Sequence, residues 1–334
     1  MNRNAKLSGL FAALGMLALI LDGQTALSGA AEGIELCIRT VVPSLFPFFL
    51  LSITLTGAVS RTSSPLLRPL SILFETPKGT ETLLLTSFLG GYPVGAQCVS
   101  QAYRKGQLNK ELAGKMLSFC NNAGPSFIFG MAAMQFSSPI YGWLIWGVQM
   151  LSAAAVARIL PAGQESTVGE SKPSPTSLSD AMHIALRVMA TVCGWVVVFR
   201  VILSFLDRWL MWLMPQSAQV LLTGLLELAN GCCNLSRIEN HGLRFILCSL
   251  MLSLGGVCVF MQTSSVLQGL PVKHYLKGKA LQGIFALLLS SMIQIFLPGG
   301  VSLHPGIAVP ILIFVLGFSG YFLRKKQTGY SFSA

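Results

Sequence analysis

The chain has 334 residues, 53% of them hydrophobic and only 10% charged, against about 25% charged in a soluble domain. With a mean hydropathy of +0.66, it reads as a polytopic membrane protein, which excludes most soluble enzyme folds. Lys and Arg number 23 against 12 Asp and Glu, a net charge of +11. The basic residues lie between apolar runs, and cytoplasmic loops of membrane proteins collect Lys and Arg. Topology therefore accounts for the excess, and no nucleic-acid partner is implied.

The chain opens with Arg3 and Lys6, an apolar run Leu7–Leu21 and then Ala26-Leu27-Ser28-Gly29-Ala30. That order mimics a signal peptide, but in so apolar a chain it is read as a retained first span. A helix needs about 20 apolar residues to cross a bilayer. On that basis eight spans are predicted, over 7–22, 38–59, 116–136, 139–159, 181–204, 243–268, 279–297 and 303–323. Two further apolar stretches, 82–99 and 218–233, are too short or interrupted for full spans. The polar, Pro- and Ser-rich segment 161–177 is a flexible linker. It separates a first membrane repeat, 1–160, from a second, 178–334.

Charge orients this arrangement. With the N-terminus in the cytoplasm and 82–99 dipping in and out, the loops carrying Arg61, Arg68, Lys78, Arg104, Lys105, Lys110 and Lys115 lie inside. The linker, Lys273, Lys277, Lys279 and the tail Arg324-Lys325-Lys326 lie there too. Only Arg39, Arg200, Arg208, Arg237 and Arg244 fall outside. Crossing with both short stretches would spoil the bias, so each is read as a re-entrant hairpin, one from either side. The predicted fold class is thus an all-α polytopic membrane protein: about eight transmembrane helices plus two re-entrant hairpins, arranged as an inverted repeat with interrupted helices. Interrupted segments at matching places in two oppositely oriented halves point to the binding site of a secondary transporter.

The first hairpin reads Gly90-Gly91-Tyr92-Pro93-Val94-Gly95-Ala96, enough Gly and Pro to break a helix. A half-helix starting near Val94 would aim N–H groups at the break and welcome an anion; a plain packing kink is the competing reading. The next span, 116–136, holds Asn121-Asn122-Ala123-Gly124-Pro125-Ser126. Its amides suit a ligand, or glue between helices. In the second hairpin Glu227 stands in an apolar run ahead of Asn230. An intramembrane carboxylate is a candidate proton or sodium site by default, or else an ion-pair partner for Arg200 or Arg244. The span 243–268 breaks at Gly255-Gly256 and carries Gln262, Thr263, Ser264 and Ser265.

The eight cysteines are scattered, mostly in apolar runs, and read as small buried hydrophobes. No spacing resembles a metal site, no Walker A loop is present, and no catalytic residues or cofactor are expected.

At these motifs the sequence resembles the sporulation integral membrane protein YlbJ (SpoVV) family, whose members carry the nucleoside-recognition or Gate domain. The match is carried by Val42-Pro43-Ser44-Leu45-Phe46-Pro47-Phe48, Gly91–Ala96, Phe119–Gly130 and Gly255-Gly256-Val257-Cys258-Val259, and runs from about residue 30 to 325. Gln97 stands where the family usually has a basic residue, and Phe260 where it often has His. The resemblance implies a role in endospore formation, moving dipicolinic acid from the mother cell across the outer forespore membrane. The expected partners are a small anionic substrate and the lipid bilayer, with homo-oligomerisation left open. Substrate contacts are expected from Gly91, Tyr92, Pro93, Gly95, Asn121, Asn122, Gly124, Ser126, Asn230, Gly255, Gly256 and Gln262, with Glu227 for ion coupling. An ion-coupled nucleoside or metabolite carrier on the same scaffold, or a non-transporting spore-envelope scaffold, are the alternatives.

Overall fold

The computed structural model describes residues 3–58, 66–160, 177–267 and 269–296, with no β-strand among them. The first half runs α1 (Arg3–Leu21), α2 (Gly23–Leu36), a π-type turn Cys37–Val41, α3 (Val42–Ala58), α4 (Arg68–Leu73), α5 (Glu81–Gly90), α6 (Val94–Arg104) and α7 (Lys110–Cys120). The short α8 (Pro125–Phe127) continues as irregular turns to Gln135, and α9 (Ile140–Ile159) closes the half. The second half runs α10 (Leu178–Trp209), α11 (Gln216–Leu226), α12 (Leu228–Cys233), α13 (His241–Leu254), α14 (Gly256–Val266) and α15 (Val272–Phe296).

Side-chain caps set several of the starts, because the first N–H groups of a helix have no partner of their own. Asn109 accepts from Leu112 N at 2.9 Å, Ser177 from Asp180 N at 3.1 Å, and Asn240 from Leu243 N at 2.9 Å. Five stretches are long and apolar enough to cross a membrane: Gly23–Leu55, Ile140–Ile159, Leu178–Trp209, His241–Val266 and Val272–Ile295. This is an α-helical polytopic membrane protein.

The interior holds polar side chains beside its apolar core. Along α15, Lys279, Gln282 and Ser290 are buried, while Ile284, Leu288, Met292 and Ile295 are exposed. Exposed apolar and buried polar faces on one helix suit a hydrocarbon surround.

The spans differ from the sequence expectation in three ways. Residues 23–37, expected to link spans 7–22 and 38–59, are helical and continuous with α3. Their charges are paired: Arg200 with Glu32, Arg39 with Glu35 at 3.0 Å, and Arg208 with Asp22 at 3.1 Å. Gly29 and Gly33, spaced as in the small-residue packing motif of membrane helices, bring α2 against α10. A Cβ on Gly33 would lie 3.0 Å from Val197 Cα. Second, the break expected within 116–136 falls at 121–124, but the helix before it, α7, starts at Lys110 rather than at 116. Third, the span expected at 303–323 and all of the expected linker but Ser177 lie outside the described residues.

Two apolar clusters hold the body together. The larger joins the two halves through Leu45, Phe49, Tyr92, Phe127, Val192, Val196, Leu228 and Val259. The smaller packs Phe74, Phe88, Leu112 and Phe119, with Phe74 stacked on Phe119 at 5.2 Å.

Candidate functional site: a cavity between two sets of broken helices

Each half contains two breaks that meet. In the first half, α5 stops at Gly91 (φ 73°) and α6 restarts at Val94. Beside it, α7 stops at Cys120 and helix resumes at Pro125. The breaks touch backbone to backbone: a Cβ on Gly91 would lie 2.6 Å from Gly124 N, and one on Gly124 3.1 Å from Gly91 Cα. Gly95 faces the backbone of Cys120 and Asn121 as closely. Only glycine lets two backbones approach this far.

The second half repeats the device. Between α11 and α12 the chain opens at Glu227, and between α13 and α14 at Gly255 and Gly256, whose φ values are 83° and 74°. A Cβ on Gly256 would lie 2.8 Å from the carbonyl oxygen of Gly224.

Three of the breaks, at Gly91, Gly124 and Glu227, line one cavity of about 30 Å³, room for a water or two, which α14 completes through Val259 and Gln262 while Gly255 and Gly256 do not line it. Gly91, Tyr92, Gly124, Glu227 and Gln262 line it, so residues singled out in both halves converge on one point. Tyr92 is buried, and its ring meets Phe127 edge-on at 6.3 Å. Pro93 and Gly95 are buried behind it in the first turn of α6. Ser126 is half-buried and does not line the cavity.

The polar groups are committed differently from expectation. Asn121 Oδ1 accepts from Ala96 N at 3.2 Å, so it caps α6, while its Nδ2 donates to Thr263 Oγ1 at 2.8 Å across to the second half. Glu227 caps α12: its carboxylate accepts from Ala229 N at 3.1 Å and from Asn230 N and Nδ2 at 2.7 Å each. The start of α6, expected to welcome an anion, is thus already served by the Asn121 amide oxygen, and the start of α12 by the Glu227 carboxylate. Gln262 Nε2 donates to Cys258 Sγ at 3.2 Å. Neither arginine considered as a partner for Glu227 bonds it. Arg200 pairs with Glu32 and Asp207, and Arg244 donates to the carbonyls of Ile238 and Gln135.

One buried cluster escaped the sequence reading. Lys279, assigned to a cytoplasmic loop, lies inside α15 at 4% exposure. Its Nζ donates to Asn122 Oδ1 and Gln282 Oε1, both at 2.9 Å. Gln282 Nε2 donates to the same Asn122 oxygen at 2.8 Å, and Asn122 Nδ2 returns to Phe119 O at 2.5 Å. None of the ion pairs among the described residues includes Lys279. The contact exists because Gly278 sits directly on the Ser118 backbone, locking α15 to the end of α7. The available signal was spacing: Lys279, Gln282 and Ser290 share one helical face. Lys115, also assigned to a loop, is buried in α7 and donates to Glu75 O at 2.8 Å.

The assembly is a tight junction of opened backbone, neutral amides, one carboxylate and one lysine. It holds no group of His, Cys, Asp and Glu suited to a metal among the described residues. No family model matches the chain, and no solved structure matches it significantly. The chain is similar to the sporulation integral membrane protein YlbJ of Bacillus subtilis (strain 168), 25% identical over 315 aligned residues that cover 80% of this chain and 77% of the relative. That likeness extends over both halves of the fold and bears out the resemblance of this chain to the YlbJ family of sporulation integral membrane proteins.

Proposed function

We propose that the protein is a sporulation membrane transporter or facilitator for a small organic anion, with dipicolinate the first candidate, moving it from the mother cell across the outer forespore membrane. The observation that carries this reading is the convergence of helix breaks from both halves, at Gly91, Gly124 and Glu227, on one cavity inside a lipid-type helical body. Broken helices at membrane depth are tolerated where protein or a cavity satisfies the freed backbone, and paired breaks are the mark of transporter sites.

In the finer architecture, α5–α6 and α11–α12 are re-entrant hairpins entering from opposite faces, related as an inverted repeat within about eight spans, with both termini cytoplasmic. The cavity of about 30 Å³ is smaller than any organic substrate. A cavity of this size suits a closed state of such a transporter, with the glycine contacts between breaks as the place where it opens. The Lys279 amine lies close behind Asn122, and a cation there would suit an anion better than a neutral substrate.

The second reading, an ion-coupled nucleoside or metabolite carrier, is favoured by Glu227, the one carboxylate among the described residues lining the cavity. A scaffold without transport leaves the cavity and its paired breaks without a role.

In cells lacking the gene, dipicolinate assayed separately in mother cell and forespore should be made normally and retained in the mother cell. A forespore that fills normally overturns the anion reading. Glu227→Gln keeps the cap's shape while removing its charge. In proteoliposomes it should abolish any dependence of dipicolinate flux on a proton or sodium gradient; unaltered gradient dependence would rule out coupling at Glu227.

A further inference from the structure

Glu227, the one carboxylate among the described residues lining the junction cavity, is 3% exposed. Its cap on α12 uses three of the four acceptor positions that a carboxylate offers. Oε1 takes the Ala229 N–H, while Oε2 takes the Asn230 backbone N–H and the Asn230 amide. One position on Oε1 is left for another partner. None of the ion pairs among the described residues includes Glu227. Tyr92, from the first half, lines the same cavity at 6% exposure, and its buried hydroxyl has no hydrogen-bond partner. The two groups do not bond each other, so a gap separates a spare carboxylate position from a spare hydroxyl. Gln262, on the same wall, gives its amide N–H to Cys258 Sγ, which leaves its amide oxygen as an acceptor.

Three occupants could bridge that gap. A water would serve both groups but leave a carboxylate without a counter-charge at membrane depth, where that is costly. A proton on Glu227 would cancel its charge but leave the Tyr92 hydroxyl without a partner. A small cation answers both. Carboxylate, hydroxyl and amide oxygens are hard ligands, the kind such cations take. One carboxylate balances a monovalent ion, whereas a divalent ion would bring an excess charge into the membrane. A cavity of about 30 Å³ exceeds the roughly 10–15 Å³ that one water needs, so a dehydrated sodium ion fits. There is also a way in. Asn230, which bonds Glu227, is half-buried and lines a wider cavity of about 280 Å³. Glu32, Glu35, Arg39, Arg200 and the exposed Cys233 form much of its remaining wall.

We infer that the junction binds one sodium-sized monovalent cation between the Glu227 carboxylate and the Tyr92 hydroxyl, reached from the wider cavity past Asn230. The inference rests on the transport reading in its ion-coupled form and names the ion's ligands and its way in. Such an ion joins the break at Glu227 to the break at Gly91, one from each half. Its binding therefore favours the state in which the halves are in contact, and its release favours their parting.

The test reads the melting temperature of the full-length chain in detergent as sodium chloride replaces choline chloride at constant ionic strength. Sodium should raise it saturably, by about 5 °C or more at about a hundredfold excess over Kd. Glu227→Gln should abolish the shift. Tyr92→Phe, which removes one oxygen and little else, should move the half-maximal shift to about fivefold higher sodium. No sodium-specific shift, or a shift that either variant leaves unchanged, overturns the site. In membranes, a charged, impermeant thiol reagent applied to one face should label Cys233, a signal lost in Cys233→Ser. A Cys233 reached from neither face overturns the way in. Dicarboxylate flux in proteoliposomes separates the two claims. A sodium shift without flux keeps the cation site and sinks the transport reading. Flux by a chain that shows no sodium shift keeps transport and sinks the site.

Discussion

Replacing Gly278 with valine should abolish the folded protein, while valine at Gly194 should leave it intact. Gly278 lies on the backbone of Ser118, with no space for even one additional carbon, whereas nothing lies within 4 Å of a Cβ built on Gly194. Overpacking inside a closed core costs about 1–3 kcal/mol when side chains can shift aside. Here the obstacle is main chain, which no rotamer relieves, so α15 and α7 must part. Parting them withdraws Lys279 and Gln282 from Asn122 and opens the site from behind. The check is the monodisperse fraction of detergent-solubilised, fluorescently tagged full-length protein on size exclusion. A Gly278→Val peak equal to that of Gly194→Val would show that the close crossing of α15 over α7 is not essential to the fold.

The second large effect concerns the buried lysine. Asn122→Leu removes the oxygen shared by Lys279 and Gln282 and leaves the amine with Gln282 alone. Leaving a buried donor without its acceptor costs about 1–3 kcal/mol. At 2–4 °C per kcal/mol for a chain of a few hundred residues, the melting temperature in detergent should fall by about 2 °C or more. Lys279→Met added to Asn122→Leu should restore much of that loss, because the stranded amine is gone and a flexible apolar chain fills its place. Both the single and the double variant should fail to move dipicolinate. The expected non-additivity is the signature of direct coupling. A double variant no more stable than Asn122→Leu alone would mean that Lys279 does not depend on Asn122. Either asparagine changed to alanine should therefore lower abundance as well as activity, because Asn121 caps α6 and Asn122 anchors α15.

The helix breaks were legible because they are local. Gly91 ahead of Pro93, the Gly124-Pro125 pair and Gly255-Gly256 interrupt a helix wherever they occur, through missing donors and left-handed backbone. Glu227 was legible as a lone carboxylate in an apolar run, but its role as the cap of α12 was not, since capping depends on where the preceding helix stops. Helix α2 was hidden for a related reason. Asp22, Glu32, Glu35 and Arg39 lower its local hydropathy to that of a loop, yet three of the four are answered by or lie beside α10 and its arginines. Hydropathy counts a charge without knowing its partner, and the partners of Glu32 and Asp22, Arg200 and Arg208, lie more than 160 positions away.

Composition, charge bias and the position of each break are properties of short windows, so an all-helical membrane protein with paired interruptions could be argued from the residues in order. Which interruptions face one another is a long-range matter. Asn121 meets Thr263, Asn122 meets Lys279, and Gly91, Gly124, Glu227 and Gln262 share one cavity only because glycine crossings let backbones approach within van der Waals contact. Lys279 shows the difference most plainly. Beside Lys273 and Lys277 it has the pattern of a loop cation, and the packing of Gly278 on Ser118 turns it into the buried amine at the back of the site.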